Sequence, residues 1–159
     1  MSNKRVCGFS LLMIVCLAGC GGGKAAAPIK AVATREEVMH HLVIPNAQIV
    51  WGAVGSTSTL QGVEEKQPKT DDEWFNIESS ATTIMEAGNL LMMEGRALDS
   101  GKWMEWSKAM RESADSVRQA AKKHDAAALF EKGGDMFESC QGCHFAYRFT
   151  KDPNTIRSH

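Results

Sequence analysis

From residue 34 onward, the apolar residues of this chain recur at intervals of three and four, which is the spacing of one face of an α-helix. Four such stretches occur, at about residues 34–54, 70–95, 102–123 and 125–147, with clusters of Gly, Pro, Ser and Asp between them. No segment shows the apolar-polar alternation that is typical of a half-buried strand. The pattern predicts an all-α fold, an antiparallel up-down-up-down four-helix bundle whose one long connection is residues 55–69.

Local signals mark where two of these helices begin. Thr70 and Glu73 have the spacing of a capping box, in which the hydroxyl and the carboxylate accept hydrogen bonds from free N–H groups. Asp125 is a favourable N-cap for the fourth helix. Pro45 lies inside the first helical stretch, and we expect it to kink that helix or to divide it into two pieces.

The composition is that of one soluble globular domain. The 159 residues are 43% apolar and 23% charged, which excludes a disordered tail and a large multidomain enzyme. Lys and Arg number 18 against 19 Asp and Glu, so there is no basic surplus to neutralise phosphates, and we expect no nucleic-acid partner. No acid, base or nucleophile constellation is visible, and we therefore expect that the protein is not an enzyme.

The N-terminal segment has the features of an export signal. Lys4 and Arg5 precede an almost uninterrupted apolar run at residues 6–17, which is too short to span a bilayer and matches the h-region of a signal peptide. We interpret residues 1–19 as this signal. Export would carry the rest of the chain out of the cytoplasm.

The apolar run ends in Leu-Ala-Gly-Cys at residues 17–20, and this resembles the lipobox of bacterial lipoproteins. The resemblance implies cleavage before Cys20 and acylation of that residue, so that residues 20–33 form a flexible tether and 34–159 the folded domain. The predicted location is the bacterial periplasmic space, on a membrane to which lipidated Cys20 anchors the protein. The alternative is an ordinary signal peptide cut nearby, with Cys20 incidental.

Only two of the five cysteines remain for chemistry after export and lipidation. Cys7 and Cys16 would leave with the signal, and Cys20 would carry the lipid. The other two are Cys140 and Cys143. Both belong to one motif.

Residues 140–144 read Cys-Gln-Gly-Cys-His, the C-x-x-C-H signature of c-type haem attachment. Two thiols one helical turn apart add to the two vinyl groups of a haem, and His144 presents its imidazole to the iron. The motif predicts one covalent haem (heme c) per chain. A zinc site would need a further ligand pair, and a dithiol redox site would need a βαβ context, neither of which the sequence contains.

With this motif near the end of the fourth helix, the chain resembles the class II cytochromes c, that is, cytochrome c-prime and its low-spin relatives. The similarity covers about residues 34–149 and is most specific at 140–148, where the motif is followed by Tyr147 and Arg148. It implies a four-helix haem bundle that transfers electrons or binds small gases. The N-terminal anchor lies outside this similarity.

The resemblance also implies that Arg35 and Met39, four residues apart on the first helix, lie over the open face of the haem. The topology independently places Met39 and His144 at the same height in the bundle. In an antiparallel bundle the start of the first helix lies beside the end of the fourth, and the two residues are about equally far from those helix ends. We therefore expect Met39 to be the second axial ligand. The residues expected at this level of the bundle are Arg35, Met39, Leu42, Leu91, Met92, Arg96, Trp103, Trp106 and Tyr147.

The distal side leaves alternatives open. His40 or His41 could ligate the iron in place of the methionine, and Leu42 could shield an empty sixth site. An arginine fork matches a haem propionate, and we expect Arg35 or Arg148 to fill that role.

The predicted function is electron transfer by an extracytoplasmic monohaem cytochrome between redox partner proteins that the sequence does not identify. A homodimer is a further partner to consider. The first alternative is a five-coordinate haem protein that binds nitric oxide or carbon monoxide for sensing or detoxification. The second is a structural lipoprotein in which Cys140 and Cys143 form a disulfide.

Overall fold

The computed structural model describes residues 29–148, so the predicted signal at 1–19 and Cys20 lie outside the described part. The first helical stretch runs without a break through α1 (Arg35–Val38), a π-helical turn (Met39–Val43) and α2 (Ile44–Gly52). A hairpin of β1 (Gly55–Thr59) and β2 (Gly62–Lys66) follows, and then α3 (Asp71–Leu91), α4 (Lys102–Lys122) and α5 (Ala126–Tyr147). Within residues 29–148, no helix combines the length and the apolar character needed to cross a bilayer. The fold is mostly helical.

Side chains satisfy the free N–H groups at three helix starts. The Thr70 hydroxyl accepts from the Glu73 N–H and the Glu73 carboxylate accepts from the Thr70 N–H, so the predicted capping box is confirmed. A second box joins Thr34 and Glu37 ahead of α1. The Asp125 carboxylate accepts from the Ala128 N–H, as expected for the N-cap of α5. The sequence therefore determines locally where these helices begin.

The core is formed by the inner faces of the helices. The residues that recur at helical spacing along the second predicted helix are all buried on α3: Trp74, Ile77, Ala81, Ile84, Gly88 and Leu91. On the third predicted helix, the spacing favours an inner stripe of Trp106, Met110, Ser113, Val117 and Ala120. On α4 this stripe is only partly right, because Trp106 and Ser113 are half-buried while Trp103 and Ala114 are buried. The reason is that α4 packs against both α3 and α5, and two neighbours cover a wider face than one stripe.

Neighbouring long helices run antiparallel, as contacts between their ends show. The Trp103 indole N–H, at the start of α4, donates to the Leu91 carbonyl at the end of α3, with 2.8 Å between N and O. The ring of Trp103 also meets the ring of Tyr147 at the end of α5, and further along the hydroxyls of Ser113 on α4 and Ser139 on α5 lie 3.2 Å apart. The start of α4 therefore lies beside the end of α3 and the end of α5.

The first helical stretch is attached at both of its ends. Arg96, which follows α3, donates through Nε to the Ala33 carbonyl just before α1, at 2.8 Å. At the far end the Trp51 indole N–H donates to the Gly133 carbonyl of α5, at 3.0 Å. The start of α1 consequently lies at the same end of the molecule as the end of α3, the start of α4 and the end of α5.

The connection at residues 55–69 corrects the expectation that the fold has no strands. Its first part is an antiparallel hairpin in which Gly55 pairs with Lys66 and Thr59 with Gly62. Nearly every hairpin residue is exposed, and polar residues occupy both faces. Because apolar-polar alternation arises only when one face of a strand is buried, this hairpin leaves no such pattern in the sequence.

Pro45 lies where the first helical stretch is divided into two α-helical pieces, which is one of the two effects expected of it. A π-helical turn at Met39–Val43 separates α1 from α2 just before the proline. Within this turn the Ile44 N–H donates to the carbonyl of Met39, five residues back, instead of four. Pro45 then stands in the first turn of α2, where its missing N–H is tolerated.

Replacement of Leu129 by Ala should lower the free energy of unfolding by about 2 to 5 kcal/mol, because the side chain is 0% exposed and its loss leaves a cavity in the core. Phe130→Ala is the matched control, since the adjacent ring is 66% exposed and its removal should cost only about 0.5 kcal/mol. Urea unfolding followed by far-UV circular dichroism measures both. Equal losses in the two variants would contradict the packing of α5 described here.

Candidate functional site

A cavity of about 530 Å³ opens at the end of the molecule where α1 and α4 start and α5 ends. All six residues predicted from the sequence to attach, ligate or contact a haem line this one cavity. Its lining is formed by Arg35, Glu36, Met39, His40, Ile44, Leu91, Leu98, Trp103, Trp106, Ser107, Met110, Ser139, Cys140, Cys143, His144, Tyr147 and Arg148.

The last two turns of α5 contribute the motif. Cys140 and Cys143 are free thiols on one turn of the helix, and His144 follows directly. All three side chains are half-buried. The helical geometry therefore presents two sulfur atoms and one imidazole to the same cavity.

Burial controls the protonation of both thiols. Desolvation raises the pKa of Cys143 to about 11, with a smaller contribution from neighbouring Cys140. Desolvation also raises the pKa of Cys140, although a hydrogen bond with Ser139 opposes the shift. Reactive and metal-binding thiols generally have a lowered pKa, so the neutral thiols found here do not suit thiolate chemistry.

The imidazole of His144 is held in its neutral form. Burial lowers its pKa, and the positive charge of Arg148 lowers it further. Neutral imidazole is the form in which histidine ligates iron and other metals. The environment of His144 therefore favours ligation over protonation near neutral pH.

The first helical stretch contributes the opposite part of the lining. Arg35 lies on α1, while Met39 and His40 lie in the π-helical turn, and all three contact the cavity. His41 and Leu42, which the sequence also offered as distal residues, do not line it. Of the side chains considered as axial ligands, the structure therefore brings Met39 and His40 to the cavity with His144.

Aromatic side chains form a wall between α4 and α5. The rings of Trp103 and Tyr147 meet edge to face, with 5.1 Å between their centroids. The Tyr147 hydroxyl donates to the Asp99 carboxylate at 2.5 Å. The same carboxylate accepts from the backbone N–H of Trp103 at the start of α4. These bonds connect the end of the motif helix to the loop before α4.

Gly142, inside the motif, permits the close approach of Trp106. A β-carbon at this position would overlap the outer ring atoms of the Trp106 indole, so any other residue would require that side chain to shift. The glycine thus lets the indole lie directly on the turn that carries both cysteines. The sequence identified Trp106 as a residue at this level, but it gave no reason for the glycine.

The two arginines predicted to contact a carboxylate both reach the cavity. Arg35 donates through Nη1 to the Arg96 carbonyl at 3.3 Å, which fixes its stem at the cavity edge. Arg148, the C-cap of α5, is exposed at the same edge. Their charges lie beside an otherwise largely apolar lining.

Three residues expected at this level do not line the cavity: Leu42, Met92 and Arg96. Arg96 is only 5% exposed, although arginine side chains are mostly exposed in folded proteins. Its Nη1 donates to the Leu90 carbonyl at 3.1 Å and contacts the Met93 sulfur at 3.2 Å. The residue holds chain segments together instead of facing a ligand.

Several lining residues were not predicted from the sequence. Ser107 and Met110 lie one turn further along α4 from Trp103 and Trp106, so the helical period could have identified them. Ser139 precedes the motif and was passed over because an isolated serine carries no signal. The remaining ones are Glu36, Ile44 and Leu98.

No family model matches this chain, and no curated protein and no solved structure was found to be similar to it. In the part of the chain from 29 to 148, no group of three or more His, Cys, Asp or Glu residues is arranged to hold a metal ion. The site is therefore interpreted from its own geometry.

Proposed function

We propose that this protein is an exported, lipid-anchored c-type cytochrome that carries single electrons between redox partners outside the cytoplasm. The observation that carries the proposal is the turn of α5 on which Cys140, Cys143 and His144 all open into one cavity. Two attachment points and one axial ligand on a single helical turn are what the C-x-x-C-H motif requires.

The cavity and its donor groups fit a haem. A volume of about 530 Å³ lies within the range of about 300 to 1,000 Å³ that is usual for small-molecule and cofactor sites. The lining is largely apolar and aromatic, as suits a porphyrin, and its charged groups lie at the edge. Burial holds the His144 imidazole in its neutral form, which is the form that ligates iron.

Each residue has a distinct role in this proposal. Cys140 and Cys143 would hold the haem through thioether bonds, while His144 and Met39 would be its axial ligands. Arg35 or Arg148 would pair with a propionate, since a guanidinium fork matches a carboxylate. A haem held in this way would supply one-electron exchange between ferrous and ferric iron.

The protein's own residues would control how that exchange proceeds. Trp103, Trp106 and Ile44 give the cavity apolar walls, and the Trp106 ring lies against Gly142 on the turn that carries the cysteines. A dry, low-dielectric site together with its axial ligands determines the reduction potential. No bond of a substrate is made or broken, so the protein would be a carrier and not an enzyme.

The proposed architecture is the four-helix bundle of the class II cytochromes c, with the haem near the end of the fourth helix. The antiparallel order of the helices supports it, as does the cavity that the start of α1 and the end of α5 line together. The hairpin at 55–66 lies in the long connection and leaves the order of the helices unchanged.

Anchoring to a periplasmic membrane surface is part of the proposal. The sequence Leu-Ala-Gly-Cys at 17–20 supports acylation of Cys20, and the short tether at 20–33 would then keep the domain near the membrane. Partners would be redox proteins within reach of that tether, and a homodimer is compatible with the same anchor.

Covalent attachment can be tested by mass analysis after acid-acetone extraction. The protein, produced in cells that mature c-type cytochromes, should retain the mass of one haem. The double variant Cys140→Ser/Cys143→Ser should lose it, because a hydroxyl does not form the thioether. Gln141→Ala is the control, since this residue lies between the two cysteines and should leave the added mass unchanged. An unmodified mass for the unaltered protein would show that the proposed cofactor is wrong.

Replacement of Met39 by Ala tests the distal ligand. Thioether and imidazole ligands should make both oxidation states low-spin, and loss of the thioether should give a high-spin spectrum and binding of carbon monoxide. The fold should survive, because Met→Ala costs about 2 to 5 kcal/mol when fully buried and Met39 is only half-buried.

The controls for Met39 are His40→Ala and His41→Ala, each of which should leave the spectrum low-spin. If the unaltered protein is already high-spin and binds carbon monoxide readily, Met39 is not a ligand. Gas binding then replaces electron transfer as the better interpretation.

Acylation of Cys20 can be measured by incorporation of labelled fatty acid. Cys20→Ala, with the rest of the signal intact, should abolish the label, because Cys20 is the residue that the Leu-Ala-Gly-Cys sequence predicts to be acylated. Cys16→Ala is the matched control, since that cysteine lies within the apolar run and should not affect labelling. An unaltered protein that takes up no label and fractionates in the aqueous phase would rule out the lipobox interpretation.

A further inference from the structure

The buried residues of the first helical stretch do not follow the period of an α-helix. Val38 is 1% exposed and Val43 is 2% exposed, although they are five residues apart. On a regular α-helix, side chains five residues apart point about 140° away from each other. The π-helical turn at Met39–Val43 takes up the extra residue and brings both valines to the inner face.

Contacts before the turn fix the position of α1. The Ala33 carbonyl accepts from Nε of buried Arg96, and Arg35 donates to the Arg96 carbonyl. The capping box of Thr34 and Glu37 determines where the helix begins. These bonds set the height and the rotation of α1 relative to the end of α3.

A second set of contacts fixes the position of α2 after the turn. Val43, Ala47 and Val50 are buried at spacings of four and three. The Trp51 indole N–H donates to the Gly133 carbonyl and holds the far end against α5. Between these two anchored segments the chain has one residue more than an α-helix would use.

Met39 and His40 both line the cavity, and the extra residue decides which of them holds the place that Met39 has in this structure. Suppose that α2 kept its packing and the turn became regular α-helix. Each residue before the turn would then take the place of the residue that precedes it in the sequence. Met39 would occupy the buried place of Val38, and His40 would occupy the cavity place of Met39. Glu36 would replace Arg35, whose hydrogen bond to Arg96 would be lost.

We propose that the π-helical turn is a positioning device that gives Met39, and not His40, the axial-ligand place in the cavity. This inference rests on the proposed haem site. Pro45 supports the turn, because it has no N–H to donate and its ring disfavours a regular α-helix at the preceding carbonyls. The positioning residues are therefore Arg96 on one side and Pro45 on the other.

Two single-residue deletions of equal length separate this proposal from a merely structural role. Deletion of His41 removes the extra residue after Met39, so both anchored segments persist and Met39 keeps its place. Deletion of Val38 removes the extra residue before Met39, so Met39 moves into the buried place of Val38 and His40 moves into the place that Met39 holds in the cavity lining. His41 is exposed and lies outside the cavity lining.

The measurements are the optical spectrum, the reduction potential and the proton NMR spectrum of the ferrous holoprotein. Without His41, the ring-current-shifted methyl resonance of an axial methionine and the wild-type potential should both be retained. Without Val38, the iron should stay low-spin, but that resonance should vanish and the potential should fall, because His replaces Met. Adding His40→Ala to the Val38 deletion should then give a high-spin iron that binds carbon monoxide.

A variant of unchanged length guards against failure of the deletions to fold. In Met39→His/His40→Met the proposal predicts loss of the methionine resonance, since place 39 now carries imidazole. Retention of that resonance would show that place 40 holds the ligand and would overturn the inference. The same ligand in both deletion variants would also overturn it while leaving the haem proposal intact. Absence of haem from the unaltered protein would overturn both.

Discussion

The buried guanidinium of Arg96 joins the first helical stretch to the end of α3, and the geometry of the cavity depends on this joint. Taking a charged group out of water is unfavourable unless its donors are satisfied. Arg96 meets this condition through the carbonyls of Ala33 and Leu90 and the sulfur of Met93. Because α1 begins just after Ala33, the same bonds determine how far along the cavity Met39 lies.

Helix limits and the inner face of α3 could be predicted from the sequence because they depend on local chemistry. Capping by Thr70 requires only a hydroxyl and a carboxylate three residues apart. The hairpin at 55–66 could not be predicted, since it is exposed on both faces. Without one buried face, its sequence shows no alternation of apolar and polar residues. The π-helical turn escaped prediction for a different reason. Its signal is the five-residue spacing of Val38 and Val43, which an α-helical template does not include.

The same turn explains why Leu42 was wrongly expected at the cavity. On a regular α-helix, Leu42 would lie one turn below Met39 and would face the same side. In the π-helical turn, the residue that lies one turn below Met39 is five positions further along the chain. Ile44 therefore lines the cavity and Leu42 does not. Arg96 was misinterpreted because its sequence neighbours are polar or small, and only the packed chain shows its burial. In contrast, the residues of α5 were placed well, because a short motif on an uninterrupted helix has one geometry.

The surroundings of the cavity disfavour charged forms of the side chains of the motif. Burial raises the pKa of both thiols and lowers the pKa of His144, so the site disfavours anionic sulfur and cationic imidazole alike. The positive charge of Arg148 contributes to the shift at His144. Ferric iron in the proposed site would carry one more positive charge than ferrous iron, and the same low dielectric and the same arginine would disfavour it. A methionine ligand also stabilises the ferrous state, so the environment and the axial ligand would together raise the reduction potential.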